Sequence, residues 1–523
     1  MAKKFAEHQG LDLTHTNKEI LAKWEEMDIF HKSIDEREGC EQFIFFEGPP
    51  SANGHPGIHH VLARAIKDTF NRYKTMKGFQ VLRKAGWDTH GLPVELGVEK
   101  ELGINKKDID NKESEHYISV EDYNRKCREN VMKFTEEWRK LTEEMGYFVD
   151  LDHPYVTYDN KYIETLWWLL KQLYNKGLMY KGYTIQPYSP AAGTGLSSHE
   201  LNQPGCYRDV KDTTVTAMFK TDNDTLAKLD AELAASTWGS TYLVAWTTTP
   251  WTLPSNTALC VGPKFDYVSV RTYNPYTAEK INIILAADRL NAYLPANGLV
   301  ASGDEMPPYN KGEKVVPYQV LRHYKGSDLE GLRYEQLMPW VKPAEKVDAN
   351  AAPFIQQYAK AHPEKVFLGE NGKDQFVEMA SEAFRVILGD YVTTDDGTGI
   401  VHIAPTFGAD DAKVAKDARI PGLYLINKKG ETRPMVDLQG KYYLVEELDA
   451  NFVEKCVAVE AYAHHAGDYV KNSYDPKFNP NGVWDVEASE KAEDLNVIMV
   501  MEMKMEGTAF KIEKHVHSYP HCW

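Results

Sequence analysis

A short apolar run that stops at a glycine and two prolines constrains the fold more than any other feature of the sequence. The run, "EQFIFFEGPP", is typical of a buried strand that ends at Gly48. It is followed by a segment with helical spacing from His59 to Met76 and by a second strand-and-loop signal, "GFQVLRKAGWDTHGLP". A strand, a turn with glycine, a helix and another strand form a βαβ unit. This region therefore predicts an open parallel sheet.

The pattern of the sequence changes after about residue 180. Short β-rich runs recur from there, among them "TYLVAWTTT", "YVSVRTY", "INIILAA" and "GIVHIAP". Gly, Pro and Asn turns separate these runs, which is typical of a mainly β domain. A chain of 523 residues is also too long for a single hydrophobic core. We therefore predict an α/β chain in which a large, mainly β (α+β) domain is inserted after the parallel-sheet region.

Charge and cysteine usage limit the class of protein. The formal net charge of −17 argues against a generally basic nucleic-acid-binding surface, although it is compatible with a local basic groove. No run approaches the roughly 18 apolar residues that span a bilayer, and the first residues lack the apolar core of a signal peptide. The six cysteines are scattered without any C-x-x-C pair, which indicates reduced thiols and predicts a cytoplasmic protein.

The turn "GPPSANGHPGIHH" carries the first candidate site. Asn53 and Gly54 allow the backbone to turn tightly beside a ligand, and the following helix directs its amide dipoles at an anion such as a triphosphate. His59 and His60 stand where imidazoles can hydrogen-bond phosphate oxygens as charge develops on them. The alternative is that Gly, Pro and Asn only form a loop and that His60 caps or packs. Local spacing leaves both interpretations open.

The second candidate lies in "GWDTHGLPVE", where Asp88 follows Trp87. Its carboxylate can receive a substrate ammonium group through a charge-assisted hydrogen bond. Asp is also among the favoured residues at a helix N-cap, so Asp88 is equally suited to start a helix. Both interpretations stay open at this point.

Several longer blocks carry a resemblance to a known family. They occur in the family's order and include "YKTMKGFQVLRKAGWDTHGLPVE", "MGYFVDLDHPYVTYDNKYIETLWWLLKQLYNKGLMY", "AWTTTPWTLPSNTAL", "GTGIVHIAPTFGADD" and "HSYPHCW". On these blocks the sequence resembles the isoleucyl-tRNA synthetases, a branch of the class I aminoacyl-tRNA synthetases. The valyl enzymes share the general plan, but "VDLDHPYVTYDNKYIETLWW" is more similar to the isoleucyl branch.

The resemblance implies a domain plan and a reaction. A helical arm and the first half of a Rossmann-like nucleotide-binding domain are expected at 1–185, an inserted editing domain at 186–512 and a return segment at 513–523. The implied reaction uses ATP, with Mg²⁺ arriving on the nucleotide, to convert isoleucine into isoleucyl-adenylate and pyrophosphate. The aminoacyl group then passes to tRNA(Ile). The full-length form is expected to be a monomer.

The resemblance also assigns roles to residues of the two motifs. Asp88 is expected to hold the ammonium group of isoleucine, and Gly48 and Pro49 are expected to line the amino-acid pocket. The residues expected in the ATP site or in catalysis beside it are Asn53, Gly54, Gly57, His59 and His60.

One position departs from the family's signature. The usual order is His-x-Gly-His, whereas this chain has Gly57-Ile58-His59-His60, so that glycine and the first histidine have exchanged places. In the usual order the glycine gives the nucleotide close access to the backbone. We therefore predict an active but reshaped nucleotide pocket, with the side chain of His59 turned away from it.

The inserted domain is similar to the family's editing domain. Isoleucine and valine differ by one methylene, and this family is the standard example of the weak discrimination that such a difference allows. The resemblance implies that threonine hydroxyls hold the terminal adenosine and a water, that His402 lies at the side-chain pocket, and that Asp411 holds the ammonium of the misacylated amino acid. Threonine-rich runs are otherwise typical of ordinary strands, and a histidine in an apolar strand is otherwise typical of a core. The threonines concerned are Thr247, Thr248, Thr249 and Thr252.

Three further features of the family are missing. Where relatives carry a cysteine pair this chain has Ser189 and Ala192, and Cys522 alone cannot complete a tetrahedral site, so no structural zinc is expected. The Lys-Met-Ser-Lys-Ser-like loop and the helical anticodon-binding region do not occur either, so we expect a fragment or a truncated gene product.

Two functional classes therefore stay open. One is a synthetase whose activating reaction needs the missing half, and the other is a stand-alone editing deacylase or non-catalytic tRNA-binding module.

Overall fold

A computed structural model of the protein describes residues 10–179, 184–190, 192–478 and 485–521. The chain divides into two compact units, residues 1–182 and residues 183–523. No helix within the described residues is both long enough and apolar enough to cross a membrane.

The first unit is built around a small parallel sheet. Its strand order is β1-β2-β3, and the β1–β2 register runs in parallel from Gln42 opposite Gln80 to Phe46 opposite Lys84. The predicted βαβ unit is confirmed, because helix α3 connects β1 to β2. The elements of this unit are α1 Leu13–Glu26, α2 Ile29–Asp35, β1 Gln42–Phe46, α3 Ile58–Met76, β2 Gln80–Trp87, α4 Leu92–Leu102, α5 Val120–Val131, α6 Thr135–Glu144, β3 Asp150–Val156 and α7 Asn160–Asn175.

Gly86, near the end of β2, leaves room for an aromatic side chain of the neighbouring strand β3. A Cβ atom at Gly86 would lie 2.4 Å from the ring of Tyr155 on β3, which is closer than real Cβ contacts. The next residue, Trp87, is buried with Ala52 and Trp138. This packing brings the end of β2 to the loop that follows β1.

The second unit contains a large mixed sheet with strand order β11-β9-β10-β7-β6-β19 and a smaller sheet with order β15-β8-β16. Only the β10–β7 pair of the large sheet is parallel. The prediction of a mainly β region after the parallel sheet is confirmed. The strands of this unit are β4 Tyr188–Ser189, β5 Thr194–Gly195, β6 Tyr207–Lys220, β7 Thr241–Thr247, β8 Ala258–Val261, β9 Asp266–Tyr273, β10 Lys280–Ala286, β11 Gln319–Lys325, β12 Ala344–Lys346, β13 Val366–Leu368, β14 Gln375–Glu378, β15 Arg385–Leu388, β16 Ile400–Ile403, β17 Leu425–Ile426, β18 Thr432–Arg433 and β19 Ala509–Pro520.

The second unit also contains helices, one of which contributes to the core of the large sheet. Their bounds are α8 Ser198–Leu201, α9 Asn223–Leu229, α10 Ala231–Ala234, α11 Leu290–Tyr293, α12 Pro353–Ala361, α13 Ala409–Asp417, α14 Ala450–Cys456, α15 Val459–Ala463, α16 Val486–Lys491 and α17 Leu495–Glu506. Val500 and Met503 of α17 join the buried cluster of the large sheet, together with Phe219 and Leu243. Strand β19 follows α17 and pairs with β6 along its length, so it runs through residue 512, where a domain boundary is predicted.

Candidate functional site

The loop from β1 to α3 is held in place by backbone hydrogen bonds from other parts of the first unit. The amide of Asp88 donates to the carbonyl of Pro50 at 3.0 Å, and the amide of Phe134 donates to the carbonyl of Ala52 at 3.0 Å. The indole Nε1 of Trp138 donates to the carbonyl of Gly54 at 2.9 Å. The loop therefore has a defined shape beside the carboxyl ends of two parallel strands, where ligands bind in open α/β sheets.

A buried carboxylate that belongs to neither motif supports the same loop. Glu47 lies at the end of β1, is 4% exposed and forms an ion pair with Lys67 of α3. Its carboxylate also accepts a hydrogen bond from the hydroxyl of Tyr147, and Tyr155 donates to its backbone carbonyl. The letters "FEGPP" contain this glutamate, but its partners are distant in sequence.

His60 caps the start of α3. Its Nδ1 accepts a hydrogen bond from the amide of Gly57, the N-cap residue, at 2.9 Å, and its ring packs edge-on against Trp138 with centroids 4.6 Å apart. Burial lowers the pKa of His60, and the neighbouring His59 and Arg64 lower it further. The ring is therefore neutral near pH 7, with its proton on Nε2, because Nδ1 is the acceptor. Capping thus leaves an N–H donor on the ring for an anion.

The exposed ring of His59 lies against His60 and against Gly57, the other exchanged position of the signature. Its centroid is 3.8 Å from that of His60, and a Cβ atom at Gly57 would lie 2.7 Å from His59 Cε1. The glycine at position 57 thus gives the histidine at position 59 the space that its ring occupies. Asn53 and Gly54 are half-buried in the loop just before this helix.

Asp88 is half-buried directly after β2, and it does not cap the next helix. The N-cap of α4 is Gly91, whereas Asp88 Oδ1 accepts from the amide of His90 at 3.2 Å. The amide of Asp88 bonds to the carbonyl of Pro50, so the structure brings Asp88 together with the Gly48-Pro49-Pro50 turn. The N-cap interpretation of Asp88 is therefore wrong, and a carboxylate lies beside the turn.

The second candidate site is a chain of hydroxyls that ends on a buried imidazole. The amide of Thr249 donates to Thr247 Oγ1 at 3.1 Å, and Thr249 Oγ1 lies 3.3 Å from Thr252 Oγ1. Thr252 Oγ1 donates to the carbonyl of Thr249 at 2.8 Å and lies 3.2 Å from Nε2 of His402 on β16. The neighbouring Thr248 is half-buried.

These contacts favour one tautomer of His402. The Thr249 carbonyl is the nearer acceptor for the Thr252 hydroxyl, at 2.8 Å against 3.2 Å for Nε2, which favours the tautomer in which the imidazole Nε2 donates to Thr252. Burial lowers the pKa of His402 to about 4, so the ring is neutral. Its Nδ1 is then a buried acceptor, and it has no hydrogen-bond partner within the described residues. Such an unsatisfied acceptor is favourable for binding a donor.

Asp411 lies in the first turn of α13, close to the end of the His402 strand. Its Oδ2 accepts from the amide of Ala404 at 2.9 Å. Burial raises the pKa of Asp411 to about 6, although the Ala404 amide opposes that shift. The ionised carboxylate is therefore poorly solvated, and a cation placed beside it would stabilise it.

A helix distant in sequence supports the threonine site. Thr252 lies within a 3₁₀ turn, Pro250–Ser255, that follows Thr249. The amide of Trp251 in this turn donates to Oδ1 of Asn496 on α17 at 3.1 Å. Tyr442 donates to the carbonyl of Trp251 at 2.5 Å. Nothing in the motif "WTTTPWT" identifies either partner.

The positions considered for zinc have another role in the described part of the chain. Ser189 Oγ accepts from the amide of Ala192 at 3.2 Å, so the serine stabilises a turn. Cys522 lies outside the described residues.

The family model described as tRNA synthetases class I (I, L, M and V) matches residues 19–512. The chain belongs to this family. The predicted family is thus confirmed, and the two motifs lie in a class I synthetase chain.

Curated members of this family include close relatives of the chain. It is 60% identical over 523 residues to a protein of Bacteroides thetaiotaomicron named isoleucine–tRNA ligase, covering 100% of this chain and 42% of that protein. It is 53% identical over 524 residues to the protein of that name from Porphyromonas gingivalis, covering 100% of this chain and 41% of that protein. The chain thus spans less than half the length of these relatives.

A solved structure, the editing domain of the P. knowlesi cytosolic leucyl-tRNA synthetase, is 12% identical to this synthetase chain with a TM-score of 0.28. The match covers 61% of this chain and 99% of that one. This likeness is too weak to support an inference about fold or function.

Proposed function

We propose that this chain is the part of an isoleucine–tRNA ligase that contains the first nucleotide-site signature and a hydrolytic editing site. The observation that carries the proposal is the 60% identity, along the whole chain, to a protein named isoleucine–tRNA ligase. The whole protein would use isoleucine, ATP with Mg²⁺ and tRNA(Ile), and would work as a monomer in the cytoplasm.

The residues of the first unit suit amino-acid activation. The carboxylate of isoleucine attacks the α-phosphate of ATP, the bond from that phosphorus to the bridging oxygen breaks, and pyrophosphate leaves with the electron pair. Asp88 binds the ammonium of isoleucine, and Gly48 and Pro49 line its pocket. His60 Nε2–H donates to phosphate oxygen beside the first amides of α3, where the helix dipole favours an anion. Asn53 and Gly54 shape the backbone of the loop at that position.

The exchange of Gly57 and His59 is expected to preserve activity. The double variant Gly57→His/His59→Gly restores the usual order, and its ATP–pyrophosphate exchange rate should lie within about tenfold of the native rate, or about 1.4 kcal/mol of barrier. Gly57→His alone should be slower than both, because its Cβ meets the ring of His59 at 2.7 Å. The assay uses a chimera with these 523 residues in the B. thetaiotaomicron ligase. A native chimera that is inactive until the double change is made contradicts the proposal.

The second unit suits hydrolysis of a misacylated tRNA. Water attacks the ester carbonyl of valyl-tRNA(Ile), the carbon–oxygen ester bond breaks, and the terminal ribose oxygen takes up a proton. The hydroxyls of Thr247, Thr248, Thr249 and Thr252 hold the terminal adenosine and the water. Asp411 binds the ammonium of valine, and neutral His402 lies at the side-chain pocket with Nδ1 as an acceptor.

Two assays separate this proposal from a stand-alone deacylase. The threonines, His402 and Asp411 all lie within residues 183–523, which favours a deacylase activity that does not need the first unit. The chain of 523 residues is therefore expected to release valine from valyl-tRNA(Ile) without ATP. ATP–pyrophosphate exchange is measured separately in the chimera. If the chain releases valine but the chimera shows no ATP–pyrophosphate exchange, the stand-alone function is favoured. If neither activity is found, the proposal is contradicted.

The pH dependence of deacylation should follow the carboxyl group of Asp411. A carboxylate binds an ammonium only when it is ionised, so log(kcat/KM) should fall with a slope of one below about pH 6, the raised pKa of Asp411. His402, with a pKa near 4, stays neutral through that range.

The raised pKa of Asp411 also affects stability. It makes the folded chain less stable as the pH rises through about 6, because the folded state holds the proton more tightly than the unfolded chain does.

The control for this profile is Asp410→Asn, which changes the adjacent exposed carboxylate. The acid limb should remain in this variant but move to a somewhat lower pH, because the charge of Asp410 is a smaller cause of the raised pKa of Asp411 than burial is. A limb that disappears in this variant contradicts the assignment to Asp411.

A further inference from the structure

Two adjacent histidines and a glutamate converge on one point of the second unit, away from the threonine residues. His464 caps the C-terminus of α15 and His465 follows it, whereas Glu502 lies on α17. His464 Nε2 lies 2.9 Å from Glu502 Oε1, and His465 Nε2 lies 3.0 Å from Glu502 Oε2. Each residue thus offers one ligand-type atom, and these three atoms all lie within 4.8 Å of one another.

The surroundings of this cluster resemble the support that metal-binding histidines receive. The second ring nitrogen of His465, Nδ1, lies 3.1 Å from Asp468 Oδ2. A carboxylate in this position fixes the tautomer of a ligating histidine and increases its basicity. The ring of His465 also packs against Trp340, with centroids 5.3 Å apart. His465 is therefore oriented in advance, with Nε2 directed towards Glu502.

Access from solvent is open on one side of the cluster. The side chain of His464 is 66% exposed, that of Glu502 is 28% exposed and that of His465 is 4% exposed. An ion can therefore reach the three ligand atoms from the His464 side. The buried histidine and the half-buried glutamate provide the fixed part of the arrangement.

We propose that His464, His465 and Glu502 bind a divalent transition-metal ion, for which Zn²⁺ is the best fit. Two imidazoles and one carboxylate are ligands that zinc accepts, and three protein ligands leave one position of a tetrahedron for water. Mg²⁺ is a poor fit, because it prefers oxygen ligands in octahedral geometry. One ligand atom from each residue lies within 4.8 Å of the other two, so small side-chain movements would bring all three to zinc bonds of about 2.0–2.1 Å.

A metal at this point would join two segments that meet only through tertiary structure. It would link the end of α15 to α17, the helix whose Asn496 binds the backbone of Trp251 beside the threonine residues. The ion therefore stabilises the fold of the second unit and the support of the threonine site. This inference does not depend on the reaction proposed above.

The test titrates the chelator-treated chain with Zn²⁺ in a calorimeter and with Co²⁺ in a spectrophotometer. We expect one strongly bound equivalent, visible d–d bands of tetrahedral Co²⁺, and a rise in Tm with Zn²⁺ but not with Mg²⁺. His464→Ala and Glu502→Gln should remove all three effects, and Asp468→Asn should weaken binding about 10- to 100-fold. Circular dichroism establishes that each variant is folded. Because His464 is exposed, its replacement should disturb the fold least.

A matched control is available in the same unit. His362 Nδ1 lies 3.3 Å from Glu364 Oε1 on the surface, and this pair is not part of any three-ligand group found among the described residues. His362→Ala should therefore leave Zn²⁺ binding unchanged. The proposal is overturned if Zn²⁺ binding survives in folded His464→Ala and Glu502→Gln. It is also overturned if Co²⁺ gives a thiolate charge-transfer band, which would place the ion on cysteines such as the exposed Cys40.

Discussion

Replacing Asp411 with alanine is expected to lower kcat/KM for valyl-tRNA(Ile) deacylation by about 30-fold or more. Truncating one partner of a desolvated charge pair costs about 2–5 kcal/mol, and the ammonium of the misacylated amino acid would lose its carboxylate. The pKa of Asp411 is raised to about 6 by burial, so its ionised form is poorly solvated without a cation. The rate of valine release from valyl-tRNA(Ile), measured without ATP, tests this expectation.

The matched control is Asp410→Ala, one residue earlier in the same helical turn. Asp410 is exposed, whereas Asp411 accepts a hydrogen bond from Ala404. Both variants remove one carboxylate from the start of α13, so a general loss of helix stability would affect them similarly. Asp411→Asn separates charge from packing, because its amide oxygen can still accept from Ala404. Equal rates in the Asp410 and Asp411 variants would refute the assigned role.

The elements that local sequence patterns encode could be predicted. The helix expected from His59 to Met76 runs from Ile58 to Met76, because its apolar spacing and the preceding turn are both local signals. The strand signal at "GIVHIAP" likewise corresponds to β16, with His402 buried in it. The family could be predicted for a different reason, since its motifs recur in a fixed order along the chain.

The side-chain contacts that complete the sites could not be predicted in this way. Asn496 and Trp251 are 245 positions apart, and His465 and Glu502 are 37 positions apart, so only the folded chain brings each pair together. The expectation of no zinc rested on cysteine pairs and therefore did not consider two adjacent histidines and a glutamate on a separate helix. The position of the His59 ring against Gly57 depends on a side-chain rotamer, which residue order alone does not determine.

Electrostatics give both candidate sites a common property. Burial lowers the pKa of His60 and of His402, so both rings are neutral near pH 7. Neither imidazole then supplies a positive charge to its ligand. Nε2 of His60 offers an N–H donor, and Nδ1 of His402 offers an acceptor. An anion at the start of α3 would therefore be stabilised by N–H groups and the helix dipole rather than by an imidazolium.

Among the predicted changes in the first unit, replacing Asp88 is expected to have the largest effect on amino-acid activation. Asp88→Asn keeps an oxygen that can accept from the amide of His90, so the turn after β2 is preserved while the negative charge is lost. We expect KM for isoleucine in ATP–pyrophosphate exchange to rise about 30-fold or more, because the substrate ammonium loses its charged partner at about 2–5 kcal/mol. KM for ATP should not change, since Asp88 is assigned to the amino acid and not to the nucleotide.

The control for Asp88 is Asp150→Asn in the same chimera of the B. thetaiotaomicron ligase. Asp150 Oδ1 accepts from the amides of Asp152 and His153 at 3.0 Å, so it forms a similar turn with the same type of side chain. Asp150 begins β3 and pairs with Lys84 in the middle of β2, whereas Asp88 follows the carboxyl end of β2. Ligands bind at the carboxyl ends of parallel strands, so only the Asp88 variant should lose affinity for isoleucine. An unchanged KM for isoleucine in Asp88→Asn, or an equal rise in both variants, would mean that Asp88 serves the turn and not the substrate.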